Sequence, residues 1–169
     1  MDTKIILGQV FGIAATVLLC LSYQTNSKGK LLLMQTAGCA ATCLSYLFLG
    51  AMSGFALNVV CVARNGIFYF LPAKSRKALI TGFVIAALMA VVGGLSWQGA
   101  VSLIIISALM INTVCMSTGD PQLLRKSILL TSTMVIIYNI FVFSLGGICA
   151  EALSIISAAT GIIRYKNKK

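Results

Sequence analysis

Seven long apolar segments alternate with short polar connections along this chain of 169 residues. The pattern places them at 5–21, 31–49, 54–71, 79–95, 101–116, 128–145 and 147–163. Each holds about 16–20 residues, close to the roughly 20 that an α-helix needs to cross ~30 Å of hydrocarbon, with the fifth on the short side. The connections fall into two kinds. Lys28 and Lys30 follow the first segment, Lys74, Arg76 and Lys77 the third, Arg125 and Lys126 the fifth, and Arg164, Lys166, Lys168 and Lys169 the seventh. The second, fourth and sixth turns carry no charge. Short cytoplasmic loops retain Lys and Arg, so the pattern predicts seven crossings with the N-terminus outside and the C-terminus in the cytoplasm.

Composition sharpens the class. The chain is 59% hydrophobic and 9% charged, with a mean hydropathy of +1.01. In a soluble domain about a quarter of the residues are charged. An all-α integral membrane protein is expected. Thirteen cations against three acids give a net charge of +10. Because the cations sit in short clusters beside the apolar segments, they read as topology determinants and contacts with anionic lipid, not as a nucleic-acid surface. The first segment has no small-x-small cleavage site and is expected to be a retained helix. Of the six cysteines, Cys39 and Cys43 stand four apart, a spacing that can ligate metal. With no histidine and no second soft-ligand cluster they read as small packing residues, and no metal or cofactor is expected.

Shifting the sequence by 93 places lays Tyr46 on Asn139, Phe48 on Phe141, Gly54 on Gly147 and Asn58 on Glu151. Segments one to three and five to seven would begin on the same side, so this predicts parallel repeats. The expected plan is one membrane domain in which two parallel three-helix bundles, 1–73 and 98–169, are joined by a linker helix in 74–97. In the linker, Gly82, Ala86, Ala90 and Gly94 form a small-residue stripe that would let another backbone approach closely, as would Gly8 and Gly12 in the first segment. Neither Pro72 nor Pro121 falls within a segment, so no proline kink is expected.

Membrane chemistry has to come from polar groups that hydrocarbon would otherwise exclude. Glu151 is the one acid within a segment. A carboxylate there costs ~2.5–3.5 kcal/mol at a helix centre, which points to a cavity or ion pathway; the alternative is that it reaches the headgroups or bonds a neighbouring helix. Asn58 lies at a similar depth, and Tyr46, Tyr138 and Asn139 add polar groups at the same level. Arg64, six residues beyond Asn58, either snorkels towards the cytoplasm or points into the same cavity. Gln9, Thr16 and Tyr23 recur every seven residues, a stripe that lines a path or bonds between helices.

Tyr46-Leu-Phe-Leu-Gly50, Gly54 through Ala63-Arg64, Gly146-Gly147-Ile-Cys-Ala-Glu151 and Gly161-Ile-Ile-Arg164 resemble the YgjV-type bacterial inner-membrane proteins. The resemblance covers nearly the whole chain and implies a compartment, the bacterial inner membrane, more firmly than an activity. More distantly, the repeat plan resembles the SWEET and PQ-loop transporters, in which paired asparagines on the third and seventh helices line the substrate pocket. Asn58 matches the first of that pair, and Glu151 occupies the second position. The Pro-Gln pair of those transporters is present only as Tyr23-Gln24, and the second half has Cys115-Met116, so their proline hinges are absent. An acid in the second position favours a polar, cationic or proton-coupled solute over a neutral sugar.

The expected function is small-solute transport through a central site between the two bundles, with Glu151, Asn58, Asn139, Tyr46 and Arg64 binding. The alternative is a non-transporting membrane protein that binds lipid or a partner. An enzyme is not expected, since neither a Ser-His-acid set nor a carboxylate pair can be assembled within the membrane. Expected partners are a small polar solute and the bilayer, without nucleic acid; homo-oligomerisation is open.

Overall fold

A computed structural model describes residues 3–23, 28–72 and 74–165. Gln24, Lys166, Lys168 and Lys169 lie outside the described residues, as do the side chains of Cys20, Tyr23 and Lys28. Seven helices and no strand occur among the described residues: α1 Thr3–Tyr23, α2 Lys28–Phe48, α3 Met52–Phe70, α4 Arg76–Leu95, α5 Val101–Ser117, α6 Pro121–Phe141 and α7 Leu145–Tyr165.

Local chemistry sets the helix ends that hydropathy leaves vague. Ser75 caps α4 by accepting a hydrogen bond from the Ala78 N–H at 3.0 Å. Asp120 caps α6 through the Gln122 N–H at 2.9 Å, with Pro121 at the first helical position, where its missing N–H costs nothing. Helix α6 therefore starts seven residues before the apolar segment expected at 128, and Pro121 opens the helix instead of lying in a loop.

Adjacent helices pack in chain order, α1 on α2, α2 on α3, α5 on α6 and α6 on α7. Contacts of α1 with α7 and of α3 with α5 close these six into a ring, while α4 lies outside it, mainly against α5. Polar groups turn inward: Ser53, Asn58, Arg64, Asn65, Thr113 and Asn139 are all buried. Large apolar side chains face outward, Val10, Ile13 and Val17 on α1 and Phe83, Val84 and Val91 on α4 among them. That distribution suits a hydrocarbon solvent. By length and composition α4, α6 and α7 can each cross a bilayer, and α1, α2 and α5 contain shorter apolar stretches.

Close helix contacts use glycine, though not along the expected stripe in α4. Its buried line runs through Ala78, Gly82, Ile85, Ala86, Met89 and Gly93, while Ala90 and Gly94 are exposed. Steps of four residues advance ~400° around a helix of 3.6 residues per turn, so a strict four-residue stripe drifts ~40° per step off a straight contact line. On α1, Gly8 lies against Leu49 and Gly12 against Gly146, so the two small residues serve different neighbours, α2's end and α7.

Two of the three charge-free corners, those after α2 and after α6, are built alike. Helix α6 starts and ends 93 residues after α2 (121 − 28 and 141 − 48), and α7 starts 93 after α3 (145 − 52). Gly50 has φ +73° and Phe143, 93 residues on, has φ +54°. The Ala51 N–H bonds the Tyr46 carbonyl at 2.9 Å, and the Ser144 N–H bonds the Asn139 carbonyl at 2.9 Å. Phe55 to Ala51 and Ile148 to Ser144 repeat the same bond at 2.9 and 3.0 Å.

Candidate functional site

The ring encloses a cavity of about 130 Å³ whose walls come from every helix except α4. Of the five residues expected at the site, Tyr46, Asn58, Arg64 and Glu151 line it. Asn139 stands behind the wall, fully buried. Its Oδ1 accepts from the Tyr46 hydroxyl at 2.7 Å, so α6 holds the ring of a residue on α2. Tyr138, its neighbour in sequence, meets Tyr46 edge to face with centroids 5.7 Å apart. The Tyr138 hydroxyl accepts from the Gly54 N–H at 3.0 Å. Two glycines make room for this cluster. A Cβ at Gly54 would lie 2.7 Å from the Tyr46 ring, and one at Gly147 would lie 2.6 Å from Asn139 Nδ2. Asn139 Nδ2 has no acceptor, and it borders a second hole of about 20 Å³, room for roughly one water.

Arg64 points inward and is 5% exposed, which excludes the snorkelling alternative in this conformation. Its Nε and Nη2 both donate to Asn65 Oδ1, at 3.2 and 3.0 Å. Nη1 donates to Asn112 Oδ1 at 3.3 Å and to Thr113 Oγ1 at 3.0 Å, joining α3 to α5. Every partner is neutral. Glu151, half-buried on α7, likewise has a neutral neighbour, Ser132 of α6, and no ion pair among the described residues. Asn58 spends one donor on its own helix, Nδ2 to the Gly54 carbonyl at 2.9 Å. Gln35 Oε1 is buried at the cavity wall without a donor.

The polar stripe of α1 bonds between helices. Gln9 Nε2 donates to the Phe143 carbonyl at 2.7 Å, and its Oε1 accepts from the Leu145 N–H at 3.0 Å. Thr16 donates to the carbonyls of Gly12 and Gly146, and neither residue lines the main cavity. Cys39 accepts weakly from Asn65 Nδ2 at 3.8 Å and borders the cavity with Cys61. Among the described residues no group of three His, Cys, Asp or Glu is placed to hold a metal ion.

Sequence reasoning passed over Asn112 and Thr113, the partners that α5 offers to Arg64. The signal was present: an Asn-Thr pair interrupting the apolar run from Leu103 to Ile111 is as costly in hydrocarbon as Asn58.

The arrangement can hold a small polar molecule out of contact with lipid, between one cation and one acid. The chain matches, over residues 6–169, the family model Imp-YgjV, described as bacterial inner membrane protein. No curated protein and no solved structure matches it.

Proposed function

This chain belongs to the Imp-YgjV family of bacterial inner membrane proteins, and we propose that it crosses that membrane seven times and carries a small polar solute through the cavity. In this reading α1–α3 and α5–α7 are parallel three-helix bundles related by a pseudo-two-fold axis near the membrane normal, and α4 is the link between them. The ring supports it, because such an axis exchanges the α1·α7 contact with the α3·α5 contact, and both are present. The 93-residue register of two helix pairs and the matching corners support it independently.

The carrying observation is the cavity itself. A bundle that only had to pack would fill its centre with apolar side chains, whereas this one keeps Arg64 and Glu151 there at a cost of ~2.5–3.5 kcal/mol each on insertion scales. Near the charge-free corners Tyr46 bonds Asn139, Gly54 bonds Tyr138 and Gln9 bonds Leu145, and in this reading these contacts are the outer gate. Rocking of one bundle against the other breaks these contacts and opens the site outward; separation of Arg64 from Asn112 and Thr113 opens it towards the cytoplasm. No enzymatic step is proposed.

The second reading, a non-transporting protein that binds lipid or a partner, has one observation in its favour: Gln9, Thr16, Tyr46 and Tyr138 all make bonds between helices, as packing residues do. Solute flux separates the two. Purified protein in proteoliposomes should accumulate a labelled polar solute from a mixed pool, with and without a pH gradient, and Glu151→Gln should lose at least about tenfold in rate while keeping its thermal stability within ~1 kcal/mol, since shape and hydrogen bonding persist. No uptake of any solute, or full uptake by Glu151→Gln, would overturn the transport reading.

A further inference from the structure

Two opposite charges share the cavity without meeting. Arg64 and Glu151 both line it, yet no ion pair joins them, and each is held by neutral groups alone. A buried cation that gives its hydrogen bonds only to amides and a hydroxyl keeps an uncompensated charge, and the half-buried acid has no cation beside it either. Natural membrane interiors pair such groups with one another or with what they bind.

Hydrogen-bond capacity remains on both. Guanidinium has five N–H donors; four are taken by Asn65, Asn112 and Thr113, which leaves one on Nη2. The carboxylate of Glu151 can accept about four hydrogen bonds, and Ser132 is its neutral neighbour. Gln35 Oε1, an acceptor with no donor, borders the same space.

The separation is set by the helices. Glu151 and Asn58 each stand six residues into their helices (151 − 145 and 58 − 52), while Arg64 stands twelve residues into α3 (64 − 52). At 1.5 Å per residue their backbone positions are offset by roughly 9 Å along the helix axes, and the two side chains reach into the same cavity from those levels. An ammonium and a carboxylate on one carbon lie ~2.5 Å apart by standard bond lengths, and two charge-assisted hydrogen bonds add ~2.8 Å each, a span of about 8 Å. A cavity of about 130 Å³ has room for a molecule of that size.

We propose that the cavity binds a small zwitterion of the α-amino-acid class, its carboxylate on Arg64 and its ammonium on Glu151, with Gln35 among the acceptors for its remaining donors. The two charges of the protein then cancel against the two of the ligand, and the loaded protein carries no more charge across the bilayer than the empty one. This inference deepens the transport reading and rests on it for its physiological meaning, but binding is measurable by itself.

The test is calorimetric titration of the purified protein in nanodiscs with glycine, alanine and serine, beside methylamine and acetate, which each carry one of the two charges. At least one amino acid should bind ten times or more tighter than either single-charge probe. Glu151→Gln and Arg64→Gln should each weaken it about tenfold or more, the cost of leaving the ligand's opposite charge unpaired. Should Arg64→Gln fail to fold, Arg64→Lys supplies the arm: it keeps a cation and should retain measurable binding with a loss smaller than that of Glu151→Gln. Equal binding of methylamine and alanine, or no binding of any amino acid, overturns the assignment. Amino-acid binding without flux in proteoliposomes sinks the transport reading alone; flux of another solute class without amino-acid binding sinks the zwitterion alone.

Discussion

The two halves of the ring share a backbone plan and differ in chemistry. Between α2 and α3 the corner turns on Gly50, and between α6 and α7 on Phe143, with the same backbone bonds in the same register. Six residues beyond each helix start stand Asn58 in one half and Glu151 in the other. Arg64 faces the cavity from the first half, and the residue 93 places on is Ser157, which does not line it. One half therefore brings the cation and the other the acid. The corners repeat in geometry; the charges brought to the cavity differ, and that difference gives it polarity.

The comparison breaks most completely at α4. If that helix crosses the bilayer the halves are parallel, and if it does not they are inverted. Single cysteines at Ser75 and Ser96, in a background with the native cysteines replaced, bracket α4 at its two ends. An impermeant maleimide should label position 96 only from outside and position 75 only from inside, an all-or-none result. Labelling of both from one side removes the pseudo-two-fold relation.

Next in size is the contrast between the two seams that close the ring. At the α1·α7 seam a Cβ on Gly146 would lie 2.6 Å from Gly12 Cα, where only backbone can yield. At the α3·α5 seam Ser53, the residue 93 places before Gly146, bonds Ser102 through their hydroxyls at 2.8 Å. Gly146→Val should cost about 3 kcal/mol by overpacking, and Ser53→Ala about 1–2 kcal/mol for the hydroxyl's bonds to Ser102 and to the Ser96 carbonyl. Unfolding in mixed micelles measures both; equal costs would mean the seams are not close-packed and hydrogen-bonded in these different ways.

Tyr46 and Asn139 occupy matching positions and bond each other. Tyr46→Phe leaves Asn139 with neither its carbonyl nor its amide satisfied, and should cost ~1–2 kcal/mol. Adding Asn139→Leu should return part of that loss, because the orphaned amide goes. A double variant as unstable as the sum of the singles would show the bond contributes nothing.

The smallest effects belong to the corners. Gly50→Ala forces a side chain into positive φ and should destabilise by about 1 kcal/mol. Phe143→Gly should be neutral or stabilising by up to ~1 kcal/mol, since Phe143 is 79% exposed and has little packing to lose. Opposite signs from the same backbone position in two halves would be hard to obtain if the corners were not alike.

Much of this architecture is legible in the sequence, for a physical reason: in lipid every backbone group must bond within its own helix, so an apolar run of the right length has one conformation open to it. The first segment, expected at 5–21, is helix Thr3–Tyr23. Helix ends are less legible because caps set them: α6 begins at Pro121, behind the Asp120 cap, ahead of the apolar segment. Tyr46, Asn58 and Glu151 stand out as polar residues in apolar surroundings, and they do line the cavity. The direction of Arg64 could not be read in advance, because it depends on Asn112 and Thr113 from a helix nearly fifty residues away. Asn139 shows the converse limit: its depth is legible, but whether it faces the hole or the ring of Tyr46 is decided by how α6 turns against α2.

The proposed transport requires the cavity to open to each side of the membrane in turn. Asn58 lines it and bonds only its own helix, so Asn58→Cys in a cysteine-free background reports access with little disturbance to the packing. Reaction with an impermeant maleimide in right-side-out spheroplasts and again in inverted vesicles is the direct measurement. Labelling in both preparations is the predicted result; labelling in one only, or in neither, contradicts it.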